Sequence, residues 1–145
     1  MSSSLLSHWA FWALLSAIFA ALTAILAKIG VGGVNSDLAT FIRTLVVIAA
    51  LGLILAGTGA WRTLPQVSGR ALIFLVLSGL ATGASWLCYF RALKLGQASQ
   101  VAPIDKLSVV LVALFGALVL GEKLSVHNWV GVGLIAAGAL LVALP

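Results

Sequence analysis

Residues 98–121 read ASQVAPIDKLSVVLVALFGALVLG, and this run decides the fold of the chain. It is long enough to cross a bilayer, which takes about 20 helical residues. Pro103 interrupts it near one end, and Asp105 and Lys106 follow at once. Charged groups at membrane depth are costly, so they face protein or water rather than lipid. We therefore expect a broken membrane helix with a functional polar site at the break.

The composition of the whole chain is that of an integral membrane protein. Of its 145 residues, 63% are hydrophobic and only 8% are charged, and the mean hydropathy is +1.24. Soluble domains carry about 25% charged residues, so this chain cannot cover a water-facing surface. The formal net charge is +5. The basic residues are scattered among short connectors, which indicates membrane anchoring and no nucleic-acid partner.

Uncharged runs bounded by charges or turn residues predict an all-α protein with five transmembrane helices. Backbone groups in lipid have no water to bond, so each span must be helical. We expect Ser36 and Asp37 to cap the second helix. The whole chain, residues 1–145, is expected to form a single domain with spans at about 9–27, 38–61, 71–90, 98–121 and 129–145.

The basic residues are almost evenly divided between the two sides of the membrane. With five crossings, one side carries Arg62, Arg70 and Lys123, and the other carries Lys28, Arg43, Arg91 and Lys94. Orientation follows the Lys/Arg excess in short loops, and here there is almost none. This balance favours insertion in both orientations and an antiparallel homodimer, like the inverted repeats of many transporters. A single orientation remains the alternative.

Several polar and aromatic residues are predicted to lie in one half of the membrane. Asp105 lies about 10 Å deep and Arg43 about 7 to 8 Å deep, counted along their helices from the same side. Trp86 and Tyr89 end the third span on that side. These aromatic residues either belong to the membrane interface or line a cavity, where they could stack on a flat or cationic solute.

The role of Asp105 is left open by the sequence. Its partner could be Lys106, Arg43 or a second subunit, in a structural ion pair or in a substrate or proton site. Pro103 lacks a donor and crowds the carbonyl of Ser99, so the helix should bend or open locally. Freed carbonyls could then bind a cation or a donor group of the substrate. Arg43 would neutralise Asp105 or bind an anionic group of the substrate, and Ser108 completes the predicted substrate-binding set.

The residue patterns of common enzymes and cofactor proteins are missing from the sequence. Cys, His and carboxylate residues do not cluster with metal-ligand spacing, and no glycine-rich loop opens a helix with a phosphate-binding lysine. We expect no enzyme activity, no metal and no cofactor.

Two stretches resemble a known family. Residues 91–103 read RALKLGQASQVAP and residues 120–125 read LGEKLS, with a final helix rich in glycine and alanine. Together with Arg43 at the start of the second helix, they resemble the EamA domain of the drug/metabolite transporter superfamily, in its short single-domain bacterial form. The resemblance implies a ten-helix unit built from two chains, in which the first four helices line the path. Most double-domain members have apolar residues where Asp105 and Lys106 stand.

These observations predict a small secondary transporter in the bacterial inner membrane. It would act as a homodimer by alternating access, exporting a small metabolite or toxic compound, with proton coupling through Asp105. The alternative is a non-transporting membrane subunit that assembles with or regulates a partner, in which Asp105 and Lys106 would lock helices together.

Overall fold

A computed structural model describes residues 8–143 of the chain. All regular structure in this range is helical. The elements are α1 (Trp9–Val31), α2 (Ser36–Thr58), a 3₁₀ segment (Ala60–Gln66), α3 (Gly69–Leu95), α4 (Ala98–Asp105), α5 (Ser108–Val119) and α6 (Val126–Ala143).

Five stretches in the described range are long and apolar enough to cross a membrane. They are α1, α2, α3, the combined stretch Ala98–Val119 formed by α4 and α5, and α6, with lengths of 18 to 27 residues. At 1.5 Å per residue, helices of about 20 residues match the hydrocarbon core of about 30 Å. Large apolar side chains on them point outward, such as Leu80 at 67% and Leu118 at 80% exposure. This confirms the prediction of an all-helical membrane protein with five spans.

The ends of α2 follow from local backbone chemistry. The side chain of Asn35 accepts hydrogen bonds from the backbone N–H groups of Asp37 and Leu38, at 2.8 and 3.2 Å. Asn35 is therefore the N-cap, and the prediction that Ser36 and Asp37 would cap this helix is wrong by one residue. At the other end Gly59 has a φ of +70°. This left-handed conformation suits glycine, so α2 ends at Thr58.

One compact part of the chain comprises residues 8–28 and 95–143. Within it, α4 and α5 both pack against α6. The buried residues here are small: Ala24 of α1, Gly116 of α5 and Ala139 of α6. Small side chains let helix backbones approach closely, which is how helices associate in lipid. The ammonium of Lys28 also donates a 2.7 Å hydrogen bond to the carbonyl of Gly96, and so ties the end of α1 to the turn before α4.

The other compact part comprises residues 29–94, with α2, the 3₁₀ segment and most of α3. Its buried residues come from the end of α1, the start of α2 and the end of α3; they are Val31, Ser36, Thr40, Phe90 and Leu93. From Gly69 to Thr82, by contrast, every residue of α3 is exposed. Tertiary packing of this part is thus concentrated at one end of the α2–α3 pair.

Candidate functional site

The fourth span is broken directly after the predicted polar site. Helix α4 ends at Asp105, Lys106 and Leu107 form a turn, and α5 begins at Ser108. Pro103 lies inside α4, two residues before its end. Proline has no N–H to donate and weakens a helix at this point.

The backbone tightens at the break and does not open. The N–H of Lys106 donates to the carbonyls of Ala102 and Pro103, at 3.3 and 3.1 Å, and the N–H of Leu107 donates to Ile104 at 3.0 Å. The N–H of Val109 then donates to Lys106 at 3.0 Å. The bonds to Pro103, Ile104 and Lys106 span three residues each, which is the spacing of a 3₁₀ turn. The carbonyls of Ala102, Pro103, Ile104 and Lys106 thus already accept a backbone N–H, and a carbonyl of Ser99 freed for a ligand by Pro103 stays a prediction.

The turn brings two neighbouring charged side chains together. The ammonium nitrogen of Lys106 lies 3.5 Å from a carboxylate oxygen of Asp105. Adjacent residues on a regular helix do not face each other, so this contact depends on the helix ending at Asp105. In the chain by itself the two side chains are 56% and 38% exposed, respectively. The pair is long and accessible, and Ser108, exposed at the start of α5, follows it directly.

Arg43 and two aromatic residues form a second candidate group, in the part formed by residues 29–94. The guanidinium carbon of Arg43 on α2 lies 4.1 Å from the centre of the Trp86 ring and 5.6 Å from that of Phe90, both on α3. Trp86 and Phe90 are four residues apart, so they share one face of α3. Tyr89 lies between them in sequence and is half-buried, as are Arg43 and Trp86.

The hydrogen-bonding capacity of Arg43 is unused within the described range. Between residues 8 and 143 its guanidinium makes neither a hydrogen bond nor an ion pair. Each fully buried side-chain nitrogen or oxygen of the described residues has a hydrogen-bond partner, so the unbonded nitrogens of Arg43 are not fully buried. Its N–H donors therefore remain accessible although the side chain is half-buried.

An ion pair joins the start of α2 to the end of α3, and sequence reasoning missed it. Arg91 donates to both carboxylate oxygens of Asp37, at 3.1 and 2.8 Å. Next to it, the ammonium of Lys94 donates to the carbonyl of Val34 at 2.9 Å. The available signal was the placement of Asp37 and Arg91, opposite charges at span ends on the same side of the membrane. This bidentate geometry fixes how the two helix ends meet.

The predicted site residues fall into the two compact parts. Pro103, Asp105, Lys106 and Ser108 belong to one part, and Arg43, Trp86 and Tyr89 to the other. Each group is assembled within its own part. The approach of Arg43 to Asp105 stays a prediction.

Comparison with known proteins decides the family. A sequence profile of the EamA-like transporter family matches residues 7–144, nearly the whole chain. The chain belongs to the EamA-like transporter family. As an EamA protein it is similar to a protein of Sinorhizobium sp named as an uncharacterized transporter in the cobO 3′ region, with 64% identity over 93% of this chain and 96% of that protein.

More distant EamA relatives carry a more specific name. A protein of Aeromonas hydrophila, named a probable 4-amino-4-deoxy-L-arabinose-phosphoundecaprenol flippase subunit ArnE, is 36% identical over 48% of this chain and 60% of that protein. Its counterpart in Aeromonas salmonicida is 35% identical over 57% of this chain and 75% of that protein. No solved structure matches the chain. The sequence resemblance to the EamA family is thus confirmed.

Proposed function

We propose that this EamA protein is a small secondary transporter that exports a small metabolite or toxic compound across the bacterial inner membrane. The observation that carries the proposal is the family match over residues 7–144. The similarity to a protein named as a transporter, over nearly the full length of both chains, supports it.

The polar centre of the transport path is the turn between α4 and α5. Asp105 and Lys106 lie within a stretch able to span the membrane. Their weak, accessible contact of 3.5 Å suits a pair that separates when a substrate or proton binds. Ser108 adds a hydroxyl on the α5 side of the turn. In this mechanism Asp105 takes up a proton on one side of the membrane and releases it on the other.

A homodimer would complete the path. The exposed surface of α3 from Gly69 to Thr82 supports pairing, because the chain by itself covers none of it. The even distribution of basic residues supports an inverted second copy. Reporter fusions at the C-terminus should then give signals from both compartments, and a signal from one compartment alone would eliminate the inverted pair.

The transport proposal is tested in proteoliposomes that contain the purified protein alone. Compounds that stabilise the protein in a thermal-shift screen are added under an imposed pH gradient, and a pH dye inside the vesicles reports proton movement. We expect compound-dependent proton flux that Asp105→Asn abolishes. The matched control is Glu122→Gln, which makes the same change in the turn after α5. Flux that survives Asp105→Asn unchanged would show that proton coupling through Asp105 is wrong.

A second candidate function is favoured by the names of the distant relatives. Proteins named as subunits of a flippase match about half of this chain. The corresponding proposal is that the chain is a membrane subunit that works only with a partner. Absence of flux from the purified protein, with flux restored by co-expressed membrane partners, would support this candidate over the first.

A further inference from the structure

We propose that Arg43 is the binding residue for an oxyanion, a phosphate or carboxylate group carried on an apolar or flat organic body. The inference rests on the proposed transport function only where it treats this compound as the transported substrate. The binding itself stands on the geometry around Arg43.

The first argument is the position of the charge. Arg43 lies seven residues after Ser36, the first residue of α2, which is about 10 Å along the helix axis. A charge held at that depth carries a free-energy cost and is retained for a partner. Its neighbours Phe41 and Ile42 are apolar and 60% and 50% exposed. The hydroxyls of Thr40 and Thr44 on α2 donate to backbone carbonyls of the same helix, and neither side chain carries a charge.

The second argument is the supply of counter-ions. The chain has only three acidic residues against eight basic ones. Between residues 29 and 94 the acid is Asp37, and both of its oxygens accept hydrogen bonds from Arg91. The carboxylate of Asp105 lies beside Lys106. Arg43 thus has no carboxylate of its own in the compact part to which it belongs.

The third argument is what the aromatic contacts leave open. Trp86 and Phe90 hold the guanidinium through ring contacts. A cation–π contact uses the charge and consumes no N–H donor. Arginine presents five donors in a planar fork that matches the two oxygens of a carboxylate or phosphate. The Arg43 guanidinium is therefore held in place beside aromatic rings while its N–H donors stay accessible. This arrangement fits an anion attached to an apolar or flat organic body.

The test uses the full chain in nanodiscs of zwitterionic lipid, with binding measured by calorimetry. The probes are octyl phosphate, inorganic phosphate and, as the uncharged counterpart, octanol. Hydrogen bonds to a charged group are worth enough to change affinity by about tenfold or more. We expect Arg43→Gln to weaken octyl phosphate binding by at least that factor. Arg43→Lys, which keeps the charge and loses the fork, should weaken it several-fold.

Arg62→Gln is the matched control, because it removes the same charge from the exposed 3₁₀ segment outside the site. If Arg43→Gln does not fold, the comparison of Arg43→Lys with the unchanged protein decides. Octyl phosphate binding without binding of inorganic phosphate supports a lipid-like anion, and binding of both supports a soluble one. Equal binding of octanol and octyl phosphate, or equal effects of Arg43→Gln and Arg62→Gln, would overturn the proposal.

The outcome is separable from that of the transport proposal. Binding in nanodiscs requires no flux, so the anion site can stand in a protein that transports nothing alone. Conversely, flux that persists while Arg43→Gln binds octyl phosphate normally would refute the anion site and leave transport intact.

Discussion

The contact between Arg43 and Trp86 should contribute a measurable coupling energy between α2 and α3. The guanidinium carbon lies 4.1 Å from the ring centre, and both side chains are half-buried. Cation–π contacts contribute about 0.5 to 1 kcal/mol at exposed sites and about 2 kcal/mol when desolvated. Partial burial places this contact between those limits, so we expect a coupling of about 1 kcal/mol.

A double-mutant cycle measures this quantity directly. Arg43→Met keeps the apolar stem of the side chain, Trp86→Leu removes the ring, and the double variant closes the cycle. Unfolding free energies would be obtained in mixed micelles of a mild and a denaturing detergent. The matched control replaces Trp61, which is 51% exposed in the 3₁₀ segment. The Arg43→Met and Trp61→Leu changes should be additive.

Additivity within about 0.3 kcal/mol for the Arg43 and Trp86 changes would refute the reasoning. It would mean that the ring does not hold the guanidinium, and the anion site would lose its positioning element. A strong coupling energy, together with octyl phosphate binding that is unchanged in the Arg43 variants, would instead show that the contact serves only to hold α2 against α3.

Two further predictions concern the stability of the fold, each measured by the same detergent unfolding. Gly121, after α5, has a φ of +70°, so Gly121→Ala should lower the free energy of unfolding by about 1 to 2 kcal/mol. Gly57→Ala inside α2, with open space around it, should be neutral or stabilising. Equal effects of the two changes would contradict the backbone argument. Lys28→Met removes the 2.7 Å hydrogen bond to Gly96 and should lower the free energy of unfolding by about 1.5 to 3 kcal/mol. Lys123→Met in the turn after α5 should have little effect. A Lys28→Met variant as stable as Lys123→Met would show that this bond does not hold the turn before α4.

The sequence by itself determined the membrane class, the number of spans and the family. These depend on composition and run length, because a chain with so few charges needs lipid as its solvent and lipid requires helices. The break in the fourth span was also visible in the residues, with Pro103 ahead of two charges. The cap at Asn35 was missed by one residue, since asparagine and serine are both good N-caps and only the backbone angles choose between them.

Only the tertiary structure decided which side chains meet. The contact of Asp105 with Lys106 needs helix α4 to end at Asp105. The contact of Arg43 with the Trp86 ring needs a particular rotation of α2 against α3. The pair formed by Asp37 and Arg91 depends on the same rotation. In a soluble helix the apolar stripe would reveal the inward face. In a membrane helix lipid and protein interior are both apolar, so hydrophobicity does not distinguish one face from another, and packing selects the residues that face each other.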